Sequence, residues 1–434
     1  MEHRLFLSRK GFLVACAPRN DIDWNMKIVM AHKYNFLASG SERYSFGVTG
    51  LLNRHGHEVA PFSMQHPKNG PSPYERFFVS EVKADSADYG WQGLRAIGRM
   101  LYSFEARRKF RALHSYFRPD ILHCQNIYHQ ISPSILEEAR GLGLPAVMTL
   151  NDYHLVSPNY SIYSEGKIRE LSREHPYLDT VRQKTIRGSF VLSAVSAFEG
   201  WLHRVLGLYG SIYRFIAPTK FVLEKCAEYG VPREKLVHIP YLFEMGGRTP
   251  AAPEPGGPVV YVGRLVEEKG VDVLLRAMKR LPDLKCRVVG DGPDRQRLEA
   301  LAKDLKLKNV EFVGAKSGTE LNIAVRDAVC VVVPSVWYEV FGLVALEAYA
   351  LGKPVVASRI GGLEEAVDEG VTGLMFAPGN HEELAEKIRA LAGDVALGAR
   401  MGLAGRELAR KNHDPESHYQ KILDIYRRAI AEHV

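Results

Sequence analysis

Short apolar runs alternate with longer amphipathic stretches along almost the whole of this chain, and few folds satisfy that pattern. In the first half the runs are Lys27–Ala31, Glu58–Phe62, Ile121–Cys124, Ala146–Leu150, Phe215–Ala217 and Leu236–Ile239. Stretches with helical spacing separate them: Ser41–Arg54, Leu94–Phe117, Ser132–Gly141 and Thr185–Leu208. A strand whose connecting helix returns the chain to its starting edge pairs in parallel with the next strand. The alternation therefore predicts a parallel sheet covered by helices on both faces.

Residues Arg248–Pro258 (RTPAAPEPGGP) break the pattern with Pro and Gly and almost no apolar side chains, the composition of a linker. The alternation then restarts. Strands are predicted at Val259–Val262, Arg287–Val289, Val310–Phe312, Val329–Val333 and Pro354–Ala357, and helices at Val271–Arg280, Arg295–Leu305, Glu320–Arg326 and Leu343–Ala350. A final helix, Pro415–Ala431, places Ile422, Ile425 and Ile430 on one face. At 434 residues the chain exceeds what a single core sustains. The expected class is α/β, with two Rossmann-like, doubly wound parallel-sheet domains at 26–247 and 259–414 joined by the linker 248–258. In such sheets ligands bind where strands end and helices begin.

Charge is divided unevenly between the halves. Residues 1–255 hold 32 Lys+Arg against 24 Asp+Glu, and the remainder 25 against 26. The excess gathers around Arg95–Arg118 and Arg169–Arg187, which suggests either an anionic partner such as a phospholipid surface or a solvated basic face. Nucleic acid is disfavoured as that partner, because Phe110, Tyr116 and Phe117 sit at core-like helical spacing among the cations. The five cysteines show neither CxxC nor metal-type spacing and read as reduced thiols in a cytoplasmic protein. No apolar run approaches the ~20 residues of a membrane helix. The apolar core Gly11–Ala17 behind a basic start is at the lower limit of a signal peptide, about 7 residues. Since a strand begins at Met26, residues 1–25 are expected to be a dispensable leader or an overextended start, not a secretion signal.

Three motifs in the second half carry chemistry. Gly263-Arg264-Leu-Val-Glu-Glu-Lys269-Gly270 follows the first strand, and an Arg fork with a Lys point charge suits a diphosphate. Gly290-Asp291-Gly292-Pro293 makes a strand-to-helix turn with an incomplete dinucleotide-binding pattern. Glu339-Val-Phe341-Gly342-Leu343-Val-Ala-Leu-Glu347 places two acids on either side of a helix start opened by Gly342. Free N–H groups at such a start suit phosphate, and the acids suit sugar and ribose hydroxyls. In the first half, Ser39-Gly40-Ser41-Glu42-Arg43-Tyr44 forms a glycine-containing loop. His123, Asn126, Tyr128 and His129 follow one strand, and Asn151-Asp152-Tyr153-His154 follow another.

Taken together, Gly263–Gly270, Gly290–Pro293, the pair Glu339/Glu347 and the following Gly361-Gly362 resemble the retaining family 4 (group 1) glycosyltransferases of the GT-B fold, from Met26 onward. That resemblance implies two domains facing across a cleft, with the closing helix, 415–434, packed back onto the first domain. It implies a nucleotide-diphosphate sugar as donor and no cofactor or metal. Arg264 and Lys269 would neutralise the leaving diphosphate, Glu339 would contact the donor sugar and Glu347 the ribose. Backbone at Gly40, Gly290, Phe341, Gly342 and Leu343 would surround phosphate and sugar, and Gly314 would border the base. His154 would join the catalytic group. His123, Asn126, His129, Asn151 and Asp152 would line the acceptor side. Asn151 stands where many relatives have His, a departure bearing on catalysis or substrate choice.

The implied reaction is retaining hexosyl-type transfer to a glycan or lipid-linked acceptor in polysaccharide, lipopolysaccharide or glycolipid assembly. Its setting would be the cytoplasm, extending to the inner face of the plasma membrane through the basic domain. A catalytically silent binding protein, motivated by Asn151, and a nucleotide-sugar epimerase of the same fold are the alternatives. An epimerase should lack the glutamate pair.

Overall fold

The computed structural model describes residues 25–81 and 98–433. The proposed leader up to residue 24, with Arg95, lies outside them. The first sheet contains β1 (Lys27–His32), β2 (Glu58–Phe62), β3 (Ile121–Gln125) and β4 (Ala146–Thr149). A two-stranded hairpin, β5 (Tyr163–Ser164) and β6 (Lys167–Ile168), precedes β7 (Ile212–Ala217) and β8 (Leu236–His238). The second sheet contains β9 (Val259–Val262), β10 (Cys286–Val289), β11 (Val310–Gly314), β12 (Cys330–Val333), β13 (Val355–Ser358) and β14 (Gly373–Phe376).

Both large sheets are six-stranded, ordered β2-β1-β3-β4-β7-β8 and β11-β10-β9-β12-β13-β14. Every pairing within them is parallel. Strand order reverses between β1 and β3 in the first and between β9 and β12 in the second. At such a switch point the helices leave on opposite faces and open a crevice at the strand ends. Each crevice receives the loops that carry the sequence motifs.

Two predicted helices are cut by a serine cap: the first breaks at Tyr102 and Ser103 after a helical stretch at 98–101, and the second starts later than its periodicity suggests. Ser103 accepts from the N–H of Ala106, and the helix runs Phe104–Phe117. Ser189 accepts from Leu192, and the helix runs Phe190–Val205. Such a cap fixes the start by satisfying an otherwise orphaned N–H. The hairpin, β14 and the helices His381–Gly393 and Val395–Asn412 were not predicted.

Helix Pro415–His433 lies against the first sheet rather than the second. It is fastened there by the pairs His57 Nε2···Tyr419 Oη (2.8 Å), Tyr44 Oη···His418 Nε2 (3.2 Å) and His123 Nδ1···Tyr426 Oη (2.6 Å). One apolar cluster runs from Ile28 and Val48 through Tyr241 and Phe341 to Leu346 and Ile422. The two domains therefore share a continuous core along one side of the cleft.

Candidate active site

At the end of β9 the motif Gly263–Gly270 forms a loop against the turn after β10. A Cβ on Gly290 would lie 1.8 Å from the carbonyl oxygen of Gly263, so only glycine lets these two backbones meet. The Gly290 N–H donates to the Gly314 carbonyl at the end of β11 (2.9 Å). Arg264 stands exposed at this edge, its guanidinium without a salt bridge among the described residues. Lys269 instead reaches across to the loop after β12, where its Nζ donates to Glu339 Oε1 at 2.6 Å. Ser335 Oγ donates to the same oxygen at 2.5 Å. Glu339 is only 6% exposed. Burial alone would raise its pKa, but the Lys269 ammonium and these hydrogen bonds outweigh it and hold the carboxyl below its ordinary value.

Three residues further on, Gly342 takes φ +96° and opens helix Leu343–Ala350, with no side chain capping that start. A side chain there would be strained, and its Cβ would also meet Leu363 at 2.6 Å. The uncapped N–H groups and the positive helix end face the first domain, an arrangement suited to phosphate. Opposite it is the start of helix Gly40–Arg54, where a Cβ on Gly40 would come within 3.2 Å of Leu343. From that helix Arg43 pairs with Glu347 across the cleft. A cavity of about 410 Å³ lies here, lined by Arg43, Tyr44, Val262, Gly318, Leu343 and Glu347 among others. The Phe341 ring is buried between Tyr241 and His413, which leaves its backbone as the part able to address a ligand.

The residues expected on the acceptor side form a hydrogen-bonded network. Asn151 Nδ2 donates to Gln125 Oε1 (3.1 Å) and Asn126 Oδ1 (2.9 Å), and its own oxygen accepts from Tyr241 Oη (2.5 Å). Asn126 Nδ2 in turn donates to Asp152 Oδ2 (2.6 Å), and the His154 N–H to Asp152 Oδ1 (3.0 Å). Burial raises the Asp152 pKa despite that N–H. Tyr153 extends to the other domain, its Oη donating to the Glu339 carbonyl at 3.3 Å.

One histidine does not stand as expected. His123 is fully buried, with Nδ1 against Tyr426 and Nε2 against Thr149 Oγ1 (2.7 Å), so it faces the sheet and the closing helix, not the cleft. His154 is buried and stacked on Tyr128 (3.7 Å between centroids), and burial pushes its pKa well down. Its Nδ1 is buried without a hydrogen-bond partner among the described residues. His129 Nδ1 pairs with Glu199 at 3.1 Å; burial opposes the charge, but Glu199 overrides it and raises the pKa. The sequence reading passed over Arg43, Ser335 and Tyr241 as site residues. Arg43 lay within the quoted glycine loop and Ser335 just beyond β12, but the partner of each is fixed only by packing.

Residues 250–408 match the glycosyl transferases group 1 family, and residues 39–241 match the glycosyl transferase 4-like domain. A glycogen synthase of Mycobacterium tuberculosis is 38% identical over 173 residues, 39% of this chain and 42% of that enzyme. The matches span less than half the length of this and comparable curated relatives. A sucrose-phosphate synthase structure from Thermosynechococcus elongatus superposes with TM-score 0.70 at 20% identity, covering 94% of this chain and all of that one. HepE of Anabaena, solved with UDP and glucose, superposes with TM-score 0.62 at 19% identity, covering 92% and 98%. Two facing parallel-sheet domains, each matched in turn by a glycosyltransferase family, make this a GT-B chain that belongs to the group 1, or family 4, glycosyltransferases.

Proposed function

We propose that this chain transfers a hexosyl-type sugar from a nucleotide-diphosphate sugar to an acceptor hydroxyl with retention of configuration. The observation that carries the reading is the convergence of Arg264, the Lys269–Glu339 pair and the uncapped start of helix Leu343–Ala350 at one crevice. An arriving diphosphate would draw on Arg264, Lys269 and the helix amides, and release Glu339 toward the sugar. Glu347, at the wall of the cavity, would take the ribose hydroxyls.

As the glycosidic bond breaks, charge develops on the diphosphate, and donors already in place stabilise it without reorganisation. No side chain of the described crevice is positioned as an obvious enzymic nucleophile. Retention would then follow from front-face attack by the acceptor, with the departing phosphate taking the proton. The complex of the structural neighbour HepE with UDP and glucose supports a nucleoside diphosphate donor of this kind. By family resemblance the products belong to polysaccharide, lipopolysaccharide or glycolipid assembly.

A calorimetric and thermal-shift screen against UDP, GDP, ADP and their sugar conjugates tests the reading. One nucleotide diphosphate should bind selectively without added metal, and Lys269→Ala should lose that binding. Binding to none of them would favour a scaffold protein; binding without transfer to any acceptor would favour a silent one. An inverted product from a verified donor would overturn retention alone.

A further inference from the structure

Helix Phe190–Val205 is inside out for a surface helix. It buries Ser193, Glu199 and His203. Outward it shows Phe190, Val191, Phe198, Trp201 and Val205, which are 60%, 61%, 49%, 46% and 62% exposed. At 3.6 residues per turn these five side chains fall within an arc of about 100°. They form one apolar stripe, not the scattered exposures normal on a protein surface. Ser193, Glu199 and His203 face inward because they have partners there: Ser193 Oγ accepts from the Ile186 N–H at 3.0 Å, Glu199 takes His129, and His203 Nε2 donates to the Leu101 carbonyl at 2.9 Å.

The charge around the stripe selects what covers it. Between Thr180 and Leu206 stand Arg182, Lys184 and Arg204, all exposed, and the stretch holds a single carboxylate, the buried Glu199. The earlier basic stretch differs. Arg107 and Arg111 both close on Glu138, and Arg99 and Lys109 on Glu105. Arg169 and Arg173 pair likewise with Glu165 and Glu228, whereas Arg182, Lys184 and Arg204, which flank the apolar stripe, form no salt bridge among the described residues. Exposed aromatics flanked by cations complement an anionic bilayer: the rings enter the headgroup boundary and the cations meet lipid phosphates. Crossing the bilayer is not the alternative, since no described helix is long and apolar enough.

We propose that helix Phe190–Val205 lies in the interface of an anionic phospholipid membrane and docks the first domain on it. His129, on the acceptor side, is one hydrogen bond from this helix. The inference stands independently of the transfer reading.

The test uses the full chain with vesicles of phosphatidylglycerol mixed into phosphatidylcholine, against phosphatidylcholine alone. The protein should sediment with the anionic vesicles, less so as salt rises. Lys184→Ala and Arg182→Ala should each weaken binding about fivefold. The double variant Phe198→Glu/Trp201→Glu should lose binding while keeping a cooperative thermal melt. Brominated acyl chains should quench tryptophan fluorescence in the wild type but much less in Trp201→Phe, which still sediments. Equal binding to both vesicle types, undiminished quenching in Trp201→Phe, or no binding at all would overturn the proposal. So would a dimer that ignores vesicles and dissociates in the double variant, since that result assigns the stripe to a second copy.

Discussion

The two walls of the cleft use polar groups in opposite ways. On the second domain they are held in exchangeable form: Lys269 is paired with Glu339, Arg264 is exposed and unpaired among the described residues, and helix Leu343–Ala350 starts uncapped. On the first, Asn151, Asn126, Asp152 and Tyr241 satisfy one another, and His123 and His154 are buried as neutral rings. An incoming anion can replace one partner of an ion pair at little net cost, whereas opening a closed buried network leaves several groups unpaired. The wall on the second domain can thus accept a charged ligand, while the wall on the first holds a shape.

The sharpest way to break this contrast is Lys269→Ala. Loss of one preorganised donor at developing charge should cut transfer by about 10²–10³ with the fold retained. Steady-state rates beside a thermal melt measure it, and a near-normal rate would remove the donor wall from the mechanism.

Acidification should act on the other wall. Burial lowers the pKa of His123 to about 3 and of His418 to about 4, whereas the unfolded chain takes up these protons near 6.5. Between those values the unfolded state binds more protons, so the stabilisation is complete above about 6.5 and drains away as pH falls toward 4, by up to roughly 3 kcal/mol per group. Hydrogen exchange should show β1, β3 and the closing helix losing protection before β9 and β12. Uniform loss, or loss beginning in the second sheet, would contradict the assignment.

A smaller effect is expected from His123→Leu, which strands the hydroxyls of Tyr426 and Thr149 at about 1–3 kcal/mol for each group left unpaired. Melting should drop while the rate per folded molecule holds. A collapse in rate with melting unchanged would return His123 to the active site. Smallest is Glu347→Gln. Its ion pair with the half-exposed Arg43 contributes at most about 1 kcal/mol to stability, so melting should barely move. The donor KM should rise roughly tenfold with kcat nearly kept, through the lost charged hydrogen bond to ribose. An unchanged KM would separate Glu347 from the donor.

Much of this was readable before the fold was known, and the exceptions have identifiable causes. Strand β9 and helix Leu343–Ala350 begin and end as predicted, because linker proline and glycine or Gly342 mark their limits. Strand β14 escaped notice because four residues, Gly-Leu-Met-Phe, show no period on their own. The loops that meet at the strand ends of the second sheet were legible because glycine spacing and flanking charge are local signals. His123 misled for the converse reason: a His at a strand end looks alike in sequence whether it meets solvent, as a site residue would, or the Tyr426 hydroxyl of a helix some three hundred positions later.

By itself the amino-acid sequence determined the two alternating halves, the linker between them and the phosphate-type motifs at the strand ends. Each depends on residues near one another along the chain. Only tertiary structure decided which groups remain available. The closing helix of the second half covers one face of the first and takes His123 out of the cleft. Domain packing brings Arg43 to Glu347 and Tyr153 to the Glu339 carbonyl. Inward pairing of Glu199 and His203 turns Trp201 outward. Availability depends on partners far away in the chain, and no local pattern of residues encodes them.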